Sequence, residues 1–285
     1  PVLKFSKSKS KEELPFHTSF PLTMSPSLGG LMKFFFFIKA FIICRLYTQF
    51  LNFCKGRDIL KRNMNLIWYG QSCFQLFLKP NRDRQISIVM DPFSEKIGLK
   101  LPRLKADIVC VSHEHYDHNN VKAVSGPSSD KEPFLINGPG EYEIENIFIQ
   151  GIFSWHDNCQ GRERGENTIY TIEAEDIRLC HLGDLGQREL TEEQLEKIGE
   201  VDILMIPVGG VYTIGASQAS KIISQIEPRL IIPMHYYIPR LKIKLDPLDK
   251  FLKNFGLRSV EPVKKLSVKK KDLSDQEAKV VVMKA

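Results

Sequence analysis

The sequence predicts an α/β fold in which layered sheets are flanked by helices. From Met64 onward, short runs of β-branched and aromatic residues are separated by turn residues, which is the pattern of strands. Helical patterns are fewer and come later, so strands and helices do not alternate strictly. The candidate strands are residues 66–69, 72–78, 86–90, 108–112, 134–136, 147–153, 168–173, 177–181, 203–207, 230–233 and 279–283.

Three segments of the second half predict helices. Thr191 is a good N-cap and is followed by two glutamates in the first turn, which predicts a helix over residues 191–198. Apolar residues spaced by three and four predict a second helix over residues 216–226. Asp246 followed by Pro247 predicts the start of a third helix, which extends to residue 255.

The first 63 residues are not predicted to belong to the folded domain. They contain 10 of the 18 phenylalanines, a Ser/Lys-rich start and no sustained helical or strand period. The apolar run at residues 33–45 is interrupted by Lys39 and falls short of the ~20 residues that a spanning helix needs. We expect residues 1–63 to be a disordered extension or translated upstream sequence, with an anchor as the alternative, and residues 64–285 to form the domain.

The net positive charge of the chain lies outside this predicted domain. The formal charge is +6, but residues 1–63 contain 11 Lys and Arg against 3 Asp and Glu, whereas residues 64–285 contain 29 against 31. Binding of polyanions needs clustered basic residues on the folded surface. We therefore expect a small-molecule substrate, no nucleic acid and, unless residues 1–63 are genuine, no membrane partner. A homo-oligomer is compatible with the sequence.

The six cysteines predict a reduced, cytoplasmic protein. None of them forms a C-x-x-C pair, and the chain does not resemble a small secreted disulfide framework. Cys110 lies in the apolar stretch 108–112 and is expected to be buried in a strand. Cys159 lies in a polar loop and is expected to have no chemical role.

The strongest chemical signal is the segment His113-Glu-His-Tyr-Asp-His118, directly after the candidate strand 108–112. A loop at the end of a rigid strand is a common place for a functional site. Three imidazoles and a carboxylate within six residues cost free energy when packed together, unless a metal ion or an acid organises them. The segment therefore predicts metal binding.

An H-x-H-x-D-H segment after a strand resembles the signature of the metallo-β-lactamase superfamily. Further matches are Trp68-Tyr-Gly-Gln-Ser-Cys-Phe-Gln-Leu76, Val89-Met-Asp-Pro-Phe93 and Ile232-Pro-Met-His-Tyr236. More narrowly, the segments 155–168, 180–186 and 206–214 resemble bacterial Zn-dependent hydrolases of the β-lactamase fold, which are similar to ascorbate-phosphate lactonases. The resemblance implies a four-layer αββα sandwich.

The resemblance also implies a ligand set for two divalent metal ions. The first ion is expected at His113, His115 and His156, and the second at Asp117, His118 and His235, with Asp184 bridging both. Nitrogen and oxygen ligands of this kind favour zinc, with manganese or iron(II) as alternatives. His181 is expected to orient Asp184 or to pack, and Glu114 and Tyr116 are expected to be scaffold.

These ligands predict a dinuclear hydrolase that uses a metal-bridging hydroxide on a lactone, ester or phosphoester, with Asp117 and Asp184 as catalytic residues. The loop 209–214 and the segment holding Arg162, Arg164 and Asn167 are expected to border the pocket, where an arginine would suit an anionic group.

The main alternative is a metal-dependent nuclease, which the basic run at residues 264–271 favours and the domain's charge opposes. A redox diiron protein or an inactive binding module is less consistent with the complete ligand set.

Overall fold

The computed structural model describes residues 63–80, 84–273 and 278–285. The predictions for residues 1–63, including the anchor at residues 33–45, therefore lie outside the described residues except at Asn63. Among the residues that are described, no helix is long and apolar enough to cross a membrane.

Fifteen strands are found in the described residues. They are β1 (Met64–Gly70), β2 (Cys73–Leu78), β3 (Ile86–Met90), β4 (Leu104–Lys105), β5 (Ile108–Cys110), β6 (Val124–Ser125), β7 (Phe134–Ile136), β8 (Gly140–Ile144), β9 (Ile147–Trp155), β10 (Glu166–Ala174), β11 (Ile177–His181), β12 (Ile203–Pro207), β13 (Leu230–Met234), β14 (Leu266–Val268) and β15 (Lys279–Val280). All eleven predicted strands are present in whole or in part, and β4, β6, β8 and β14 were not predicted.

The three predicted helices are α1 (Glu192–Ile198), α2 (Ala216–Ile226) and α3 (Leu248–Asn254). Thr191 caps α1 through a capping box with Gln194, as its sequence predicts. The start of α3 was predicted wrongly, because Pro247 is the N-cap and Asp246 lies before it. Short 3₁₀ helices cover Glu95–Ile97, Val121–Ala123 and Lys270–Asp272.

Two large sheets share a core. The first has the strand order β14-β1-β2-β3-β5-β7 and the second the order β15-β13-β12-β11-β10-β9-β8, and β4 and β6 form a small separate pair. In the first sheet β3, β5 and β7 are parallel, and in the second β11, β12, β13 and β15 are parallel. The hydroxyl of Tyr170 on β10 donates to the carbonyl of Val111 just after β5, which ties the sheets together.

Alternation along the strands gives the first sheet two apolar faces. Ile88 and Ile108 join the large cluster that contains both sheets and the buried faces of α2 and α3. Val89 and Val109 point the other way, into a smaller cluster with Phe93 and neighbouring loop residues. The predicted layered sandwich is therefore present, and in the described residues the outer cover of the first sheet consists of loops, 3₁₀ helices and the small pair of β4 and β6.

Candidate metal centre

The seven predicted ligands follow the carboxyl ends of four strands. His113, His115, Asp117 and His118 come after β5, while the other three follow β9, β11 and β13. Side chains that lie far apart in the sequence can meet there, because these loops leave the two sheets at one edge of the sandwich. The structure brings all seven together in three overlapping groups, and within each group the ligand atoms lie within 4.8 Å of one another.

The first group consists of His113, His115 and His156. The ring of His113 lies 4.5 Å from that of His115 and 4.6 Å from that of His156, measured between centroids. His113 and His156 are buried, and His115 is the most open of the three. Three imidazoles that converge from two loops are a suitable ligand set for one divalent metal ion.

The second group consists of Asp117, His118 and His235, and Asp184 lies between the two groups. Asp184 Oδ2 is 3.2 Å from His118 Nε2 and 3.1 Å from His235 Nε2. The same oxygen is 3.5 Å from His156 Nε2, which belongs to the first group. The carboxylate of Asp184 thus lies between the two groups.

Unpaired nitrogen atoms show that these residues fit metal ions. In the described part of the chain, His113 Nε2, His118 Nε2, His156 Nδ1 and His235 Nδ1 are buried without a hydrogen bond. Such atoms are rare because each loses its hydration without compensation. For His113 and His118 the Nδ1 atom is occupied by protein, so Nε2 is the nitrogen left to bind a metal ion, in His118 once it has lost its proton.

One ion pair dominates the electrostatics of the centre. Burial opposes a charge on His118, but the carboxylates of Asp184 and Asp91 outweigh it and hold the pKa of His118 well above its ordinary value. Burial likewise opposes a charge on Asp184, yet His118 and His235 hold the pKa of Asp184 well below its usual range. Burial, reinforced by the charge of His118, lowers the pKa of His113. His113 is therefore neutral and ready to bind a cation.

Asp91 orients two of the metal-site histidines, a role that the sequence did not reveal. Its Oδ2 accepts hydrogen bonds from His118 Nδ1 at 3.0 Å and from the Ser112 hydroxyl at 2.7 Å. Its Oδ1 accepts from the Ser112 amide at 2.7 Å. The Ser112 oxygen in turn lies 2.9 Å from His113 Nδ1. The one signal in the sequence was the place of Asp91 just after β3, which points to the same edge of the sandwich.

The loop that carries Asp184 is held by buried polar residues. Ser72 donates its hydroxyl to Asp184 Oδ1 at 3.3 Å, and Asn167 Oδ1 accepts from the Asp184 amide at 2.9 Å. Asn167 is 1% exposed and also donates to the carbonyl of Leu182. The amide of Asn167 is thus used to build the turn beneath Asp184, and the expectation that its segment borders a substrate pocket stays a prediction.

Three residues close to the ligands in sequence support or flank the centre. His181 bonds to the carbonyl of Ser72 at 3.0 Å and accepts from the amide of Gly183 at 3.1 Å. It thus supports the neighbours of Asp184. Glu114 and Tyr116 are exposed, and Glu114 is in none of the three ligand groups, which agrees with the expectation that these two residues are scaffold.

Asp157, next to His156, organises the adjoining loop. Its buried carboxylate accepts four backbone N–H bonds at 2.8–2.9 Å, from Cys159, Gly161, Glu163 and Arg164. Cys159 also donates its thiol to Asp157, which agrees with a merely local role for that cysteine. The guanidinium carbon of Arg164 lies 5.7 Å from the ring centre of Tyr212, so this loop meets the loop after β12.

Comparison with known proteins agrees with this architecture. Residues 65–235 match the family model described as the β-lactamase superfamily domain. A UPF0173 metal-dependent hydrolase from Thermoplasma volcanium is 30% identical over 211 residues, which cover 65% of this chain and 89% of the relative. A similar protein from Thermoplasma acidophilum is 29% identical over 209 residues, covering 65% and 88%.

Solved structures are similar as well. A crystal structure from Thermotoga maritima, assigned to the Zn-dependent hydrolases of the metallo-β-lactamase superfamily, is 37% identical with a TM-score of 0.60 and covers 77% of this chain and 98% of that one. Igni18, a metallo hydrolase from Ignicoccus hospitalis, is 18% identical with a TM-score of 0.53, covering 73% and 99%. The second similarity concerns the fold alone.

Proposed function

Because this chain belongs to the metallo-β-lactamase superfamily and is a metal-dependent hydrolase, we propose that it holds two divalent metal ions and hydrolyses a lactone, ester or phosphoester of a small molecule. The observation that carries the proposal is the overlap of three ligand groups, in which the Asp184 carboxylate lies between His156 on one side and His118 and His235 on the other. A single metal ion would leave part of this set of seven ligands unused.

The proposed ligands are divided between two positions. His113, His115 and His156 hold one ion, and Asp117, His118 and His235 hold the other, with Asp184 between them. Five imidazoles and two carboxylates are a donor set that zinc favours. We propose zinc as the native metal because of this donor set. Metal analysis distinguishes zinc from manganese and iron(II), which can bind similar ligands.

Divalent metal ions lower the pKa of water and polarise carbonyl and phosphoryl oxygens. The protein's own residues then determine orientation. Asp117 accepts a hydrogen bond from the attacking water and aims it, because its side chain is more open than that of Asp184, with 13% against 3% exposed. Asp184 stays ionised and holds the two ligand groups together, since its pKa is depressed by His118 and His235 despite burial.

The mouth of the site suits a small molecule that carries an anionic group. Arg164 lies beside Tyr212, and its side chain is 30% exposed. Its Nη1 pairs with Glu163 at 3.1 Å, and its other donors can face a ligand. Guanidinium groups bind carboxylates and phosphates through paired donors. Tyr116 and Tyr212, 53% and 39% exposed, offer ring faces near the same loops.

One lysine of the basic run that favours the nuclease alternative is used within the fold. Part of the basic run at residues 264–271 is the edge strand β14, and Lys270 within it pairs with the buried Asp202 at 2.7 Å. That lysine therefore stabilises the fold. We propose a small-molecule substrate without a nucleic-acid partner, and RNA binding that weakens steeply with salt would contradict this.

The test combines metal analysis with substrate screening of the full chain. We expect the purified protein to retain two metal equivalents and to hydrolyse at least one member of a panel of lactones, esters, thioesters and phosphodiesters. Asp184→Ala and His115→Ala should both lose metal and turnover. Glu114→Gln is the matched control, because Glu114 is exposed in the same loop and bonds to Asn119, away from the ligands. Full activity with normal metal content in Asp184→Ala would refute the proposal.

A further inference from the structure

Gln71 is a fully buried residue at the metal centre that neither the sequence motifs nor the ligand set assigns a role. It lies in the turn between β1 and β2 with 0% exposure and a φ of 49°. Its main-chain oxygen accepts from the Trp68 indole at 2.9 Å and from the His235 amide at 3.2 Å. The backbone of Gln71 therefore fixes the turn and the His235 loop, whatever its side chain does.

The side chain of Gln71 is directed at the second ligand group. Its Nε2 donates to Asp117 Oδ2 over 3.4 Å. Its Oε1 is buried and has no hydrogen-bond partner in the described part of the chain. A buried acceptor without a donor costs free energy, so such atoms are rare in native proteins. Since the amide nitrogen reaches Asp117, the amide oxygen lies beside the same carboxylate, where a ligand can supply the missing donor.

We propose that Gln71 holds the Asp117 carboxylate through Nε2 and that its Oε1 accepts a hydrogen bond from the attacking water. The inference rests on the proposed function, because it needs a hydrolytic water beside Asp117. Gln71 and Asp117 then form two acceptors for the two protons of that water. An amide suits this arrangement, since it offers a donor to the carboxylate and an acceptor to the water at the same time.

Gln75 provides a matched control in the same hairpin. Its side chain is also buried, but both ends are satisfied, because Oε1 accepts from the Tyr69 hydroxyl and Nε2 donates to the Lys105 carbonyl, each at 2.9 Å. Gln71→Met and Gln75→Met remove the same amide and insert the same side chain. A difference between the two variants in stability, metal affinity or turnover therefore measures the effect at the metal centre. An effect that both variants show measures the loss of a buried amide.

The experiment measures stability, metal affinity and turnover in full-length variants. In metal-free protein, Gln71→Met should unfold at the wild-type temperature or above it, because it removes an unpaired acceptor, whereas Gln75→Met should unfold at a lower temperature. In competition with a chromophoric chelator, Gln71→Met should bind one of two Zn²⁺ equivalents about 10- to 100-fold more weakly. Gln75→Met should bind both as the wild type does.

Turnover separates positioning from structure. On the panel compound that the wild type hydrolyses fastest, measured at saturating Zn²⁺, Gln71→Met should lower kcat at least tenfold with little change in KM. Wild-type Zn²⁺ affinity and kcat in Gln71→Met, or metal-free destabilisation equal to that of Gln75→Met, would overturn the inference while the proposed function stands. A wild-type protein that binds fewer than two Zn²⁺ ions or hydrolyses nothing in the panel would overturn both.

Discussion

The Asp157 carboxylate should be a large local contributor to stability, and the structure allows its contribution to be worked out. Each of its oxygens accepts two backbone N–H bonds, Oδ1 from Cys159 and Gly161 and Oδ2 from Glu163 and Arg164. Asp157→Asn keeps one acceptor oxygen and turns an amide group toward two N–H donors. Two charge-assisted bonds are lost whichever way the amide points.

Hydrogen bonds to charged groups contribute about 1.5–3 kcal/mol each, and the loop amides that lose a partner here can turn to water in part. We therefore expect a loss of about 2–3 kcal/mol in the free energy of unfolding. For a domain of this size, that corresponds to a decrease of roughly 4–12 °C in Tm. Asp157→Asn should also affect the positions of His156 and Arg164, because this loop joins the two residues.

The pH dependence has a definite sign. Burial opposes the charge of Asp157, but hydrogen bonds from the Arg164, Glu163 and Cys159 amides and the Cys159 thiol outweigh it and hold the pKa of this carboxyl well below its usual range. A depressed folded-state pKa stabilises the protein above the unfolded value of ~3.9, and that stabilisation is lost as the pH falls below it. The difference between wild type and Asp157→Asn should be constant above about pH 5 and shrink in stronger acid.

Urea unfolding of the metal-free protein is the suitable assay, with Asp176→Asn as the control. Asp176 is exposed in the turn between β10 and β11, so its variant should stay within about 0.5 kcal/mol of the wild type. If Asp157→Asn unfolds at the same urea midpoint as Asp176→Asn, the four N–H bonds do not stabilise the loop and the reasoning is wrong.

Two further predictions concern the metal centre. Asp91→Asn should weaken the affinity for both metal equivalents by about 10- to 100-fold, because its carboxylate orients His118 directly and His113 through Ser112; chelator competition measures this, and unchanged affinity would contradict it. Metal affinity should fall steadily as the pH is lowered, because His118 must lose its proton before it can bind a cation. Against the effect of burial, Asp184 and Asp91 raise the pKa of His118. Calorimetric titration in buffers of different ionisation enthalpy should show proton release on metal binding, and its absence would show that His118 is already neutral.

The sequence revealed most of the ligand set but by two different routes. His113 to His118 could be recognised from the residues alone, since a dense cluster of imidazoles is costly to pack unless a metal ion binds it. His156, Asp184 and His235 were found only through the resemblance to a known family, because a single histidine or a Gly-Asp turn is common in any protein. Their convergence depends on sheet topology, which brings together strand ends that are distant in the chain.

The supporting residues escaped prediction for a physical reason. Gln71 and Asp91 act on partners 46 and 27 residues away, so their own segments do not reveal those partners, and only the place of Asp91 just after β3 pointed toward the centre. The unpredicted strand β8 is a similar case. It alternates glutamates with other residues and pairs with β9 through a turn in which Glu145 and Asn146 both have positive φ. Such a hairpin turn is usually signalled by glycine, which is missing here.

The contacts of Asp91 and Gln71 divide the support of the centre unequally. His113 and His118 are the two residues that the overlapping ligand groups have in common, and both are held by Asp91, His113 through Ser112. The Gln71 side chain bonds to Asp117, which belongs to one group. A change at Asp91 should therefore disturb both metal positions together, whereas a change at Gln71 should disturb one. Equal loss of metal affinity at both positions in the Asp91 variant, and loss at one position in the Gln71 variant, would distinguish a shared support from a local one.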